Sequence, residues 1–183
     1  MQTEASRQLT DAQLSLAQAV RGREQQAAEA AIVLLEVRFW SFQQRVEQGH
    51  ILVARGLGSE VSELFEEILQ ARFPLASVVP VVAFGWSDGA SMAANNSSGF
   101  NPRPIVGGSR ASHHSTGRAI DLNPALNPYV KGELVLPPGA AYDPTRAGTL
   151  TPGSAPVRAF EMRGWSWGGR WASPLDYHHF EKP

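Results

Sequence analysis

The sequence contains no cysteine, which removes thiol nucleophiles, disulfides and thiolate metal sites at once. Any metal must then be held by His, Asp or Glu, and only five histidines are present. A cysteine-free chain is compatible with either redox compartment. No run approaches the roughly 20 apolar residues that a membrane-spanning helix needs. The N-terminus also lacks a basic segment followed by an apolar core, so no signal peptide is readable. The formal net charge is only -1, which offers no polyanion-binding face and makes nucleic acid a poor candidate partner. What is there fits one globular domain. The 183 residues are 43% hydrophobic and 18% charged, enough for a core and too few for a second full domain.

Two parts are expected: an N-terminal helical extension over residues 1–30 and a domain over 31–183. Thr10 can cap a helix from about Asp11 to Ala31, with a weak apolar stripe of Leu16, Ala19, Val20 and Ala27. From Ile32 to Phe42, Val33, Leu35, Val37 and Phe39 alternate with Leu34, Glu36, Arg38 and Trp40, as in a strand with one buried face. Gln48-Gly49 signals a turn, with His50 to Arg55 returning as the hairpin partner. Ser59 is placed to cap a helix to about Arg72, whose inner face carries Val61, Leu64, Phe65, Ile68 and Leu69. Val78 to Phe84 reads as a short buried strand interrupted by Pro80. Gly85 to Ser112 is a long loop, Ala119 to Leu122 a short strand, Asn123 to Gly153 a second loop, and Pro156 to Arg163 a helix. Long loops inside a compact domain tend to be functional. The expected class is α+β: a small antiparallel sheet flanked by helices, with a loop-built site.

The chemistry concentrates in Ser112 to Asp121, which fits S-x-H-x-x-G-x-A-x-D. His114 falls in a turn that Gly117 allows to bend tightly. Ala119 and Asp121 lie on one face of a strand, so a small side chain sits beside the carboxylate and leaves room for a metal. Downstream, Asp176-Tyr177-His178-His179-Phe180-Glu181 supplies a third donor. In an extended segment His179 and Glu181 share one face while His178 and Phe180 take the other, although a one-residue slip exchanges His178 for His179. Two His and one carboxylate leave a fourth position open for water, the arrangement of catalytic rather than structural zinc. Asp176 is then placed to act as general base. Glu181 either orients His179 through a further hydrogen bond or is a solvated carboxylate. Trp165, Trp167 and Trp171 line a pocket or form an aromatic core.

These motifs resemble the D-alanyl-D-alanine carboxypeptidase-like zinc peptidases, a group related to lysostaphin-type enzymes and the hedgehog zinc domain. The resemblance runs from about Val37 to Glu181. It is carried by Ala90 to Asn96, Phe100 to Arg103, Gly117 to Pro124, Trp165 to Trp171 and Asp176 to Glu181. It implies zinc on His114, Asp121 and His179, with Asp176 as catalytic base. Arg103, or Arg110 in its place, would bind substrate or polarise the scissile carbonyl, with Ser112 and Trp171 as further substrate contacts. The implied substrates are peptidoglycan stem peptides, and the implied setting is a bacterial cell envelope or secretion, with the protein as a monomer. Two alternatives stay open: an L-alanyl-D-glutamate endopeptidase, and a zinc-bearing binding module without turnover.

Overall fold

The alternation in residues 32–54 becomes a long hairpin. In the computed structural model, which describes residues 32–183, β1 (Ile32–Ser41) pairs antiparallel with β2 (Val46–Ala54). The helix expected over 11–31, and the extension over 1–30, lie outside the described residues. Val37 and Phe39 are buried while Glu36 and Arg38 are exposed, as the alternation requires. At the start of β1 both faces are covered. Val33 and Leu35 pack on the main core, whereas Ile32 and Leu34 join Leu52, Phe100 and Trp86 in a smaller cluster.

The expected turn at Gln48-Gly49 is corrected. The chain reverses between Ser41 and Val46, closed by Ser41 N–H to Arg45 C=O at 2.9 Å, and Gly49 lies inside β2. Glycine is needed there for a different reason: a Cβ would lie 2.5 Å from the Val78 carbonyl oxygen, so the residue permits close backbone approach.

Helix α1 (Gly58–Gln70) buries Val61, Leu64, Phe65 and Ile68, spaced as one face of a helix. It has no side-chain cap; the 3-10 turn Arg55–Leu57 leads directly into it, so Ser59 lies within the helix instead of capping it. The acidic Glu60 in its first turn accepts from Trp165 Nε1 at 2.7 Å and pairs with Lys182 Nζ at 3.0 Å, which ties the C-terminus to this helix.

Two short strands follow, β3 (Pro74–Leu75), parallel to β1, and β4 (Ser77–Val78). Of the strand expected over Val78 to Phe84 only Val78 is extended, at the end of β4; Pro80 follows, and Val81–Phe84 is a 3-10 helix. The proline lacks the N–H a ladder needs, which accounts for the break. The loop expected over 85–112 contains α2 (Asp88–Ala93) and β5 (Asn96–Ser97), the latter parallel to β4. Asn96 holds this region together. Its Oδ1 accepts from Ser77 Oγ and Val79 N–H, and its Nδ2 donates to Val79 C=O and Ser91 Oγ.

Strand β6 (Ala119–Asp121) forms where expected. The loop expected over 123–153 contains a hairpin, β7 (Tyr129–Lys131) and β8 (Leu134–Leu136), turning on Gly132. Helix α3 (Ala155–Met162) matches the expected helix and packs with α1. It is followed by β9 (Ser166–Trp167), β10 (Leu175–Asp176) and β11 (His179–Glu181). The described residues are thus mixed α+β, as expected, but among them the single antiparallel sheet is replaced by four small ones. Three have three strands, in the orders β2-β1-β3, β10-β7-β8 and β6-β11-β9, and the fourth is the parallel pair β4-β5. No helix among the described residues is long and apolar enough to cross a membrane.

Candidate metal centre and cleft

Strand pairing builds the site. β6 and β11 run antiparallel with His179 directly opposite Asp121, Phe180 opposite Ile120 and Glu181 opposite Ala119. Phe180 and Ile120 are fully buried on the core side, where Phe180 stacks on Phe160 at 4.2 Å between centroids. A slip of one residue would pull Phe180 out of the core, so hydrophobic packing selects His179 over His178. On the site face the small Ala119 lies opposite Glu181.

The third donor arrives on the 3-10 helix His113–Thr116. It is capped by Ser112, whose hydroxyl accepts from His114 N–H, and it is closed by Gly117 at φ +68°. A Cβ on Gly117 would lie 2.4 Å from Ala54 N. The left-handed turn and the tight seat against β2 both require glycine, as the motif suggested.

His114, Asp121 and His179 are all buried and converge. His114 Nε2 lies 3.1 Å from Asp121 Oδ2 and 3.2 Å from His179 Nδ1, and His179 Nδ1 lies 3.0 Å from Asp121 Oδ1. Their outer contacts fix which nitrogens face inward. His114 Nδ1–H donates to the Gly99 carbonyl at 2.6 Å, and His179 Nε2–H donates to Glu181 Oε2 at 3.2 Å. Neutral rings therefore present two lone pairs and a carboxylate to one point, with no donor between them. Such a point requires a cation. Donors about 3.3 Å apart are what tetrahedral zinc with bonds of about 2.0–2.1 Å demands, so the set fits that ion.

Without a metal, a proton serves. Burial opposes charging His179, but hydrogen bonds to Asp121 and Glu181 and the charges of Asp121 and Asp176 outweigh it and push the imidazole up to about 10. Burial likewise opposes the Asp121 carboxylate, yet His114, His178 and His179 hold it well below the usual carboxylate range. Glu181 is lowered, chiefly by its bond to His179.

A cleft of about 510 Å³ reaches this centre, lined among others by His179, Asp176, Tyr129, Trp171, Arg103 and Ser112. Asp176 pairs across strands with Tyr129. Its Oδ1 is buried and lies 3.0 Å from His178 Nε2, but accepts no aligned hydrogen bond. His178 donates Nδ1–H to the Asn127 carbonyl at 2.6 Å and lies 3.8 Å from Asp121. It is a neighbour of the centre and not one of the converging donors, as strand parity predicted. Arg103 reaches the cleft wall with Nε 2.8 Å from Asp88 Oδ1. Arg110 also lines the cleft, so both sequence candidates are there. Trp171 lies 5.6 Å from the His179 ring, whereas Trp165 and Trp167 belong to the core. His113 is exposed and His50 sits on β2, 3.8 Å from Glu36.

Sequence reasoning missed the Gly99 carbonyl that fixes His114, the Asp88 partner of Arg103, and Tyr129 and Lys131 in the cleft. Backbone carbonyls carry no residue signature, and the strand bearing Tyr129 and Lys131 is only three residues long within a segment rich in turn formers.

Fold and site together define a small mixed α+β protein with a buried His-Asp-His centre, able to hold a metal ion, at the foot of an open cleft. Residues 106–182 match the family described as D-alanyl-D-alanine carboxypeptidase. The segment that carries the site is therefore similar to these peptidases, in agreement with the motif resemblance. No curated protein and no solved structure shows significant similarity to the chain.

Proposed function

We propose that the protein is a zinc-dependent peptidase acting on peptidoglycan stem peptides in the cell envelope, of the D-alanyl-D-alanine carboxypeptidase type. One observation carries this reading. Three mutually close acceptors, His114 Nε2, Asp121 and His179 Nδ1, lie beside a cleft that Asp176 also lines, its carboxylate 3.0 Å from His178 Nε2. A purely structural zinc has no use for a second carboxylate facing its cleft, whereas hydrolysis needs a base at that place.

In this reading His114, Asp121 and His179 hold the ion. Zinc supplies Lewis acidity and lowers the pKa of water. Asp176 takes the proton from the attacking water and returns it to the leaving amine. Its position opposite Tyr129 across β7 and β10 holds it at the cleft wall. Arg103, fixed beside Asp88, receives the substrate's terminal carboxylate or the oxyanion that develops. Ser112 and Trp171 shape the pocket beside it.

Chelation should abolish cleavage of defined muropeptides, and zinc should restore it. Asp176→Asn should keep stoichiometric zinc while turnover falls by about 10²–10⁴-fold. Full activity of the zinc-free protein would sink the proposal. Bound zinc without turnover on any muropeptide would favour the binding-module alternative. Amidating the substrate C-terminus should suppress cleavage by a carboxypeptidase; undiminished cleavage would indicate the L-alanyl-D-glutamate endopeptidase.

A further inference from the structure

Cations at the cleft divide into two kinds. Arg103 has its counter-ion in Asp88. Arg110 and Lys131 also line the cleft, both are exposed, and neither has an ion-pair partner among the described residues. They come from separate elements, Arg110 from the loop closed by the Pro104–Ala111 bridge and Lys131 from the end of β7. Their depth along the cleft is set by strand parity. Tyr129, directly opposite Asp176, and Lys131 lie two residues apart on the same face of β7 and both line the cleft, while Val130 between them does not. Lys131 is therefore about 7 Å along the strand from the level of Asp176, roughly two residues of an extended peptide away from where the bond would be cut.

The carboxylates on this cleft are otherwise engaged or required. Asp88 faces Arg103, Glu181 bonds His179, and Asp176 serves as base in the proposed reaction. Two uncompensated cations with low-dielectric walls between them focus potential on an incoming anion. Apolar Ile105 and Val106, on the loop that carries Arg110, and Leu136 of β8 line the same cleft, so the subsite suits a carboxylate carried on an aliphatic stem.

We propose that Arg110 and Lys131 form a second anion subsite that selects peptides bearing an acidic side chain about two residues upstream of the C-terminal residue that is released, in addition to any terminal carboxylate met by Arg103. The proposal rests on the peptidase reading for where the peptide lies, but its test does not depend on turnover.

The zinc-loaded Asp176→Asn protein, which holds substrate without cutting it, is titrated by calorimetry with two tetrapeptides. Both have a free C-terminus, and they differ only in a glutamate or glutamine at the third residue from the C-terminus. The glutamate peptide should bind about three- to tenfold more tightly at low salt, with the preference shrinking as salt rises. Adding Arg110→Glu and Lys131→Glu should abolish or invert the preference, and Lys131→Arg should retain it. Both positions are exposed, so the charge reversals should fold, and circular dichroism checks that they do. Equal binding of the two peptides, or a preference that survives the double reversal, overturns the proposal. A preference that behaves as expected, combined with no cleavage of either peptide by the unsubstituted zinc enzyme, would refute the peptidase reading and leave the subsite standing.

Discussion

The floor and the rim of the cleft are built on opposite principles. At the floor, β6 and β11 are locked in register by Ile120 and Phe180 in the core, and each imidazole has its outer nitrogen held, by Gly99 or by Glu181. At the rim, the loop around Arg110 and the β7–β8 hairpin carry exposed cations and half-exposed apolar groups such as Leu134. Geometry that must be accurate to a fraction of an ångström is placed where packing enforces it. Selectivity by charge tolerates looser placement, because Coulomb attraction falls off slowly with distance.

The largest test of this contrast is a paired truncation. Phe180→Ala removes a fully buried ring stacked on Phe160 and should cost about 3–5 kcal/mol of stability, with loss of zinc as His179 loses its register. Leu134→Ala at the rim should stay within about 0.5 kcal/mol. Denaturant unfolding of both variants provides the comparison, and equal costs would break it.

A smaller effect isolates the hydrogen bond behind the metal ligand. Glu181→Gln keeps the shape but weakens the contact to His179 Nε2. Zinc affinity should drop by about 10–100-fold, as for other groups that orient a metal-bound histidine. Competition with a chromophoric chelator measures it. Unchanged affinity would mean that Glu181 is only a solvated carboxylate, the other option the sequence left open.

Much of the floor was legible because its signals are local and periodic. Gly117 reports its own left-handed turn, Ala119 and Asp121 share a face by strand parity, and Phe180 marks the core side next to His179. Helix α1 was legible for the same reason, through Val61, Leu64, Phe65 and Ile68. Its start was misjudged because Ser59 is a good cap in isolation, whereas tertiary context runs a 3-10 turn straight into the helix. The long second loop was opaque because its order comes from distant contacts. Asn127 donates to Leu122, Asn123 and Gly148 carbonyls and accepts from Leu150 N–H at 2.7 Å, and Asn123 bridges Ala76 N–H, Pro74 and Gly148. In a one-dimensional reading such asparagines look like turn residues. The rim was hidden likewise, since Lys131 gains meaning only through the residue opposite Tyr129.

The gentlest perturbation leaves the sequence intact and changes pH. In the metal-free protein His179 is raised from 6.5 to about 10 by its bonds to Asp121 and Glu181, against the opposing effect of burial. Between these values the folded state holds a proton that the unfolded chain has released, so stability must fall as pH rises. The contribution is complete below about pH 6.5 and lost by about pH 10. It should amount to several kcal/mol, at about 1.4 kcal/mol for each pH unit between the two values. Zinc displaces that proton, so the loaded protein should show little slope over the same window, and zinc affinity should increase with pH. Thermal unfolding from pH 6 to 9, with chelator and with saturating zinc, separates the two curves. Parallel curves would mean that His179 Nδ1 carries no proton for the metal to replace, and the convergence of donors at the floor would then need another explanation.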